Sequence, residues 1–432
     1  MKSIFLSIAL FITIQIIAQN KTVAIIQESA PSTAGVSAER LQRIDQFIQS
    51  YVDQGKLNGT VGIIVRDGKI VYHKAFGYYD VQNKTPMKKD NIFRIASMTK
   101  PIISVAAMML YEEGKFLLDD PISKFVPEFK NPQVLDKFNK ADSSYTTVPA
   151  KSEITFRQIL NHTSGIGYAQ IGSPEANAIY YKNGINGGIG TPRSSLKEMI
   201  PKLAKLPLFN QPGQAFLYGL NVDVLGYLIE VISGMPLDKY LQQKMFGPLG
   251  MKDTYFFLPK EKQNRLVKLY VQDDKGLRVQ DSIISLNGTF YRDFPNTAGG
   301  SYFSGGAGLS STAYDYAIFC QMMINGGEYN GVRILSPLTI RLMTSNQIGD
   351  IEMFGSRANN RFGLGFGIYT EKGATDYPIS AGSYDWGGMF ATHFWIDPKA
   401  KLVAVFMRNV WPTKEGDFGN RIKPLVYQAL TY

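Results

Sequence analysis

Phe93-Arg94-Ile95-Ala96-Ser97-Met98-Thr99-Lys100 runs into apolar residues at Ile103, Val105, Ala106, Met109, Leu110 and Tyr111, the spacing of a buried helix. Serine and lysine three residues apart at a helix start share one face, so the Lys100 amine can reach the Ser97 hydroxyl. A serine hydroxyl is a poor nucleophile at neutral pH and needs an adjacent base, which a desolvated neutral lysine can supply. The first helical turn adds unpaired N–H groups and positive potential, favouring negative charge on an attacked carbonyl.

Ser-x-x-Lys is a loose pattern, and Ser194 to Lys197 matches it as well. A helix cap followed by a solvated lysine would fit either match. Context separates them. Ser97 follows Phe93, Ile95 and Ala96 and opens an apolar helix, whereas Ser194 follows Pro192 and a Gly-rich stretch, Gly184 to Gly190.

Towards the N-terminus, Leu41, Ile44, Phe47, Ile48 and Tyr51 predict a helix over Ser37 to Val52, capped by Ser37 with Glu39 in its first turn. Val61 to Val65 and Ile70 to Phe76, joined by Asp67-Gly68, predict a β-hairpin. Near the C-terminus Phe362 to Tyr369, Met389 to Ile396 and Leu402 to Met407 read as strands, and Arg421 to Leu430 as a helix. Strands at both ends with helical stretches between them predict an α+β fold. Its antiparallel sheet is assembled from both termini and flanked by helices, with a mostly helical lobe inserted over about residues 119–298.

At the nucleophile segment a resemblance emerges: residues 93–100 look like the corresponding segment of class C β-lactamases, family VIII carboxylesterases and penicillin-binding proteins. Four further segments are similar in the same order. They are Leu160-Asn161-His162-Thr163-Ser164-Gly165; Tyr218 through Asp223-Val224-Leu225-Gly226; Gly306-Ala307-Gly308-Leu309 with Thr312-Ala313; and Trp386-Gly387-Gly388. The likeness extends from about Ser37 to the C-terminus. It implies one catalytic domain over residues 37–432 in a β-lactamase/transpeptidase-like fold, with the site between an α/β lobe and a helical lobe. Ser97 would be the acylated nucleophile, Lys100 and Tyr218 would share proton transfer, and the backbone N–H groups of Ser97 and Met389 would hold the oxyanion. By chemistry alone Tyr218 is a packing residue before an apolar helix, and only the flanking likeness gives it a role.

The chain departs from the lactamase pattern twice. Tyr218-Gly219-Leu220 stands where lactamases carry tyrosine, any residue, then asparagine; Asn221 comes one place late, and Tyr181-Lys182-Asn183 matches the letters beside the Gly-rich segment. Trp386-Gly387-Gly388 replaces Lys-Thr-Gly, which removes a cation suited to a β-lactam carboxylate. Leu220, Trp386, Gly387 and Gly388 therefore become the expected substrate-binding residues. The expected reaction is cleavage of a small ester, with a lactam or D-alanyl-D-alanine peptide as the enzymatic alternatives. A non-catalytic binding protein of the same fold is the alternative outside enzymes.

Composition excludes other classes. A 432-residue chain with 44% hydrophobic residues can bury a large core without staples. The formal charge is +10, but its one short basic cluster, Lys84, Lys88 and Lys89, lacks interleaved aromatics, so no nucleic-acid partner is expected. His73, His162 and His393 fall in strands or a turn, no Gly-x-Ser-x-Gly elbow occurs, and no zinc-type spacing exists, so neither a Ser-His-Asp site nor a metal or other cofactor is expected. The single cysteine, Cys320, sits in an apolar pattern and reads as buried. Lys2 followed by apolar Ile4 to Ile17 reads as a signal peptide over residues 1–19, with a linker over 20–36. The mature chain is then expected to be periplasmic or secreted without a stable membrane anchor.

Overall fold

The computed structural model describes residues 25–285 and 289–431, so the signal-peptide reading lies outside the described residues, as does the first part of the 20–36 segment. The main sheet uses strands from both ends of the chain: β1 (Gln27–Glu28), β2 (Gly59–Arg66), β3 (Lys69–Asp80), β4 (Thr85–Pro86), β5 (Arg361–Phe362), β6 (Gly367–Ile368), β7 (Tyr384–Gly388), β8 (Thr392–Asp397) and β9 (Leu402–Met407). Their order is β1-β3-β2-β9-β8-β7-β6-β5, with β4 against β3. Every pair is antiparallel except β1 with β3. The β2–β3 turn has Asp67 at φ 49° and Gly68 at φ 74°, the double left-handed conformation that matches strand twist in a two-residue hairpin.

Both faces of the sheet are covered, which explains why its central strands are continuous apolar runs. Val61, Ile63, Val65, Val403 and Val405 enter the main core, while Ile64, Leu402, Ala404 and Phe406 enter a second core on the opposite face. The terminal helices α1 (Ala38–Asp53) and α5 (Phe418–Tyr427) pack together over that second core. Ser37 caps α1, accepting from the Arg40 N–H. On the other face lie α2 (Thr99–Glu112) and α4 (Ala313–Ile324), and α2 packs in turn on α3 (Asn221–Ser233) of the insertion.

The insertion carries the expected helices, including Phe156–Leu160, Pro174–Lys182 and Leu196–Leu203, and three small hairpins besides. Two expectations for the C-terminal strands change. The run from Phe362 to Tyr369 is divided between β5 and β6 by a turn in which Gly365 has φ 94°; a Cβ there would lie 2.3 Å from Ser104 Oγ on α2. Met389 belongs to the turn before β8, whereas Tyr384–Gly388 forms a strand that its Asp and two Gly residues conceal.

Candidate active site

Ser97 lies in a single 3-10 turn, Ala96–Met98, that runs directly into α2. Ala96 holds φ 43°, a left-handed conformation that costs a non-glycine residue energy and turns the chain abruptly from strand to helix. The turn is clamped from several sides. The Tyr316 hydroxyl donates to the Met98 carbonyl at 2.9 Å, the Leu309 N–H donates to Thr99 Oγ1 at 3.1 Å, and Ile95 N–H donates to the Leu309 carbonyl at 3.0 Å. Arg94, fully buried, donates to the carbonyls of Val267 and Arg292, each at 2.8 Å. Arg94 and Thr99 thus hold the motif in place.

Lys100 is 1% exposed, and its Nζ donates to three oxygens: the Gly306 carbonyl at 2.7 Å, the Tyr168 hydroxyl at 2.8 Å and Ser97 Oγ at 3.2 Å. The helical spacing read from the sequence therefore does put amine and hydroxyl in contact. Tyr218 meets Lys100 through its ring. Its ring lies beneath the Lys100 side-chain nitrogen, 4.6 Å from Nζ to the centroid, while its hydroxyl oxygen accepts from Trp386 Nε1 at 3.2 Å. Indole N–H is only a donor, so the Tyr218 hydroxyl proton stays free to be given elsewhere.

Tyr168 is the residue that sequence reasoning missed. It follows the quoted Leu160–Gly165 segment by three positions and is fully buried, and burial, then Tyr218 and Asp223, push its phenol well above the ordinary range. It therefore remains a neutral hydroxyl fixed on Lys100. A tyrosine after a Gly-containing turn carries no signal of its own; only the placement of Gly165 (φ 87°), against the Asn210 carbonyl, folds the segment back to α2.

Gly388 ends β7 directly against the nucleophile turn: a Cβ there would lie 2.3 Å from the Ile95 carbonyl oxygen. Met389 follows it and packs in a small apolar cluster with Ala96, Ala307 and Phe390, which brings its backbone beside the segment carrying Ser97. Gly387 is half-buried at the same strand end. Trp386 is 6% exposed, with Phe362 edge-on at 5.1 Å and the Arg357 guanidinium 4.8 Å from its ring centre. Its indole supports Tyr218 more than it faces open solvent. Leu220 is corrected most: at 1% exposure it lies in the main core beneath the cleft and offers no wall to a substrate.

Asn221 points away from Ser97, its Nδ2 3.0 Å from His162 Nδ1. His162 is fully buried under the Tyr218 ring at 4.8 Å; burial, then the charge of Lys100, hold its imidazole well below the ordinary value, so it stays neutral. The other Ser-x-x-Lys match is a helix cap. Ser195 and Glu198 form a reciprocal capping box, and Lys197 is exposed. Tyr181 is 62% exposed on another helix. Cys320 is buried and unpaired. Among the described residues no cluster of three or more His, Cys, Asp or Glu side chains could hold a metal, and no helix is long and apolar enough to cross a membrane.

A mixed sheet flanked by helices, with a serine and a buried lysine at the start of a helix packed on one face, defines the serine hydrolases of the β-lactamase and penicillin-binding type. A model of the Beta-lactamase family matches residues 44–428, and the chain belongs to that family. It is similar to Esterase EstB of Burkholderia gladioli, 29% identical over 383 residues covering 86% of this chain and 91% of the esterase. It is equally similar, 29% over 422 residues covering 89% of this chain and 86% of the relative, to a putative D-alanyl-D-alanine carboxypeptidase of Escherichia coli K12. Among solved structures it resembles EstCE1, a hydrolase with promiscuous acyltransferase activity, with a TM-score of 0.76, 28% identity and coverage of 90% of this chain and 98% of that one.

Proposed function

We propose that this hydrolase cleaves small carboxylic esters through an acyl-enzyme on Ser97. The observation that carries the reading is the contact of the buried Lys100 Nζ with Ser97 Oγ at 3.2 Å. Lys100 takes the Ser97 proton as Oγ bonds to the ester carbonyl carbon. The oxyanion so formed rests on the N–H groups of Ser97 and Met389. Collapse breaks the bond to the alkoxy oxygen, which leaves as the alcohol with a proton from Tyr218. Water then attacks the acyl carbon and gives one proton to the Tyr218 phenolate, and the bond to Ser97 Oγ breaks as Oγ takes back the proton held on Lys100, which releases the acid and restores all three groups.

The ester reading draws on the charge around β7. Trp386 removes a cation from the strand, but Arg357, Arg408 and Lys423 line a cavity of about 270 Å³ beside it, so the neighbourhood is not without positive charge. Arg357 is already committed: it grips Asp385 at 2.7 and 3.0 Å, and Lys423 stands 4.0 Å from the same carboxylate. Burial pushes the Asp385 carboxyl up, but Arg357, Lys423 and Tyr369 outweigh it and hold the group ionised. A lactam or D-alanyl peptide brings a carboxylate that must be desolvated, at a cost of several kcal/mol without a free charged partner. The name of Esterase EstB agrees with ester cleavage.

We expect kcat/KM for p-nitrophenyl butyrate to exceed that for nitrocefin by ~10² or more, about 2.7 kcal/mol in transition-state binding. A nitrocefin rate equal to or above the ester rate would mean that a cation of this cavity, Arg408 or an Arg357 released from Asp385, meets the substrate carboxylate, and the lactamase or carboxypeptidase reading would replace this one. The proposal includes export, resting on Lys2 and the apolar run Ile4 to Ile17. N-terminal sequencing of chain recovered outside the cytoplasm should begin near Asn20, and recovery of the intact chain from the cytoplasm alone refutes it.

A further inference from the structure

Asp223 is a carboxylate buried to 1% exposure in the first turn of α3, a place where an acid without a charged partner is costly. Its Oδ1 accepts from Ser304 Oγ at 2.7 Å, and Ser304 Oγ in turn accepts from the Ala307 N–H at 3.0 Å. Gly306, the second of the two glycines between them, supplies the carbonyl that holds Lys100 Nζ at 2.7 Å. The other carboxylate oxygen, Oδ2, has no hydrogen-bond partner. It faces Gly306, where a Cβ would stand 2.4 Å away. Gly188, from the Gly-rich segment, closes over the opposite side with φ 72°; a Cβ there would come within 2.8 Å of both Oδ1 and Ser304 Oγ. The Gly-rich loop thus brings bare backbone onto a buried acid.

We propose that Asp223 is a positioning residue for the reaction: it holds the Ser304–Ala307 turn so that the Gly306 carbonyl fixes Lys100, and its negative charge compensates the ammonium formed when Lys100 takes the Ser97 proton. This rests on Lys100 acting as the base for Ser97. The logic is that of a base oriented by a third group, with a carboxylate behind a lysine. In the protonation step the Ser97 O–H bond breaks, the N–H bond on Lys100 forms, and the positive charge appears on a side chain that is 1% exposed. The titratable groups facing Asp223 are Lys100 on α2 and the hydroxyls of Tyr168 and Tyr302, both neutral because burial raises them far above their ordinary values. Lys100 is therefore the one cation that this carboxylate serves among those neighbours.

Burial, opposed by the Ser304 hydrogen bond and Lys100, pushes the Asp223 carboxyl up to about 6, so its negative charge is lost as pH falls through that value. The test is the second-order rate constant for fluorophosphonate labelling of the full-length protein as a function of pH, because fluoride leaves without an acid and the rate reports the base side alone. In the wild type, labelling should fall on the acid side through an ionisation near about 6. Asp223→Asn should slow labelling at neutral pH by ~10-fold or more and abolish that acid limb. Ser304→Ala removes a hydrogen bond to the ionised carboxylate and should displace the limb to higher pH, the opposite direction. A merely structural role would lower the folded fraction and leave the limb where it is. An unmoved limb in Asp223→Asn, or in Ser304→Ala should the first variant not fold, overturns the inference while the hydrolase reading stands. No labelling of wild-type Ser97 at any pH overturns both.

Discussion

Ser97→Ala is expected to abolish both fluorophosphonate labelling and ester turnover, lowering kcat by ~10⁴ or more to the level that binding and the oxyanion donors alone support. The hydroxyl touches Lys100 Nζ at 3.2 Å and sits on a turn whose Ala96 is held at φ 43° by surrounding hydrogen bonds, so the local geometry survives its removal. A half-buried hydroxyl is a small deletion, and stability should change by no more than ~1 kcal/mol. Intact mass and peptide mapping of the labelled wild type should place the adduct on Ser97. Labelling of the alanine variant at the wild-type rate would identify another nucleophile and end the assignment.

Lys100→Met should lower kcat/KM by ~10² or more, the usual worth of general-base assistance. Methionine is chosen over alanine because Lys100 is 1% exposed, and truncation would leave a cavity as well as an unpaired Gly306 carbonyl and Tyr168 hydroxyl. The methionine variant still loses those bonds, so a fall in Tm of several degrees should accompany the rate loss. The two tyrosines then separate by leaving group. Tyr218→Phe should slow ethyl esters much more than p-nitrophenyl esters, since nitrophenolate leaves without a proton. Tyr168→Phe should slow both alike, because its hydroxyl fixes the base. A wild-type rate in Lys100→Met, or equal leaving-group sensitivity in the two tyrosine variants, would require the roles to be reassigned.

Local patterns carried a large part of this protein's description. A 3.6-residue period fixes which residues of α1 are buried, and Ser97 and Lys100 meet because helix geometry alone sets the distance between positions three apart. Asp67-Gly68 determines a hairpin because few other residue pairs tolerate two left-handed conformations in succession. The capping box on Ser195 and Glu198 is likewise a property of adjacent residues, and it separates the second Ser-x-x-Lys match from the first.

What the tertiary structure decided are the contacts between segments far apart in sequence, where no local energy term selects the partner. Tyr168 reaches Lys100 across 68 residues, and Gly306 does so across 206. Leu220 and Trp386 read alike as apolar replacements at a cleft. Both are buried in the main core, yet only Trp386 turns a polar atom to the site and binds the Tyr218 hydroxyl, a difference set by how α3 and β7 pack. Arg357 on Trp386, Asp385 between Arg357 and Lys423, and Asp223 behind the Gly306 carbonyl follow the same rule. Sequence spacing determined which groups could do acyl chemistry, because that depends on the helix; the fold determined their charge environment, because electrostatic partners and burial arise only when distant strands and helices close on one another.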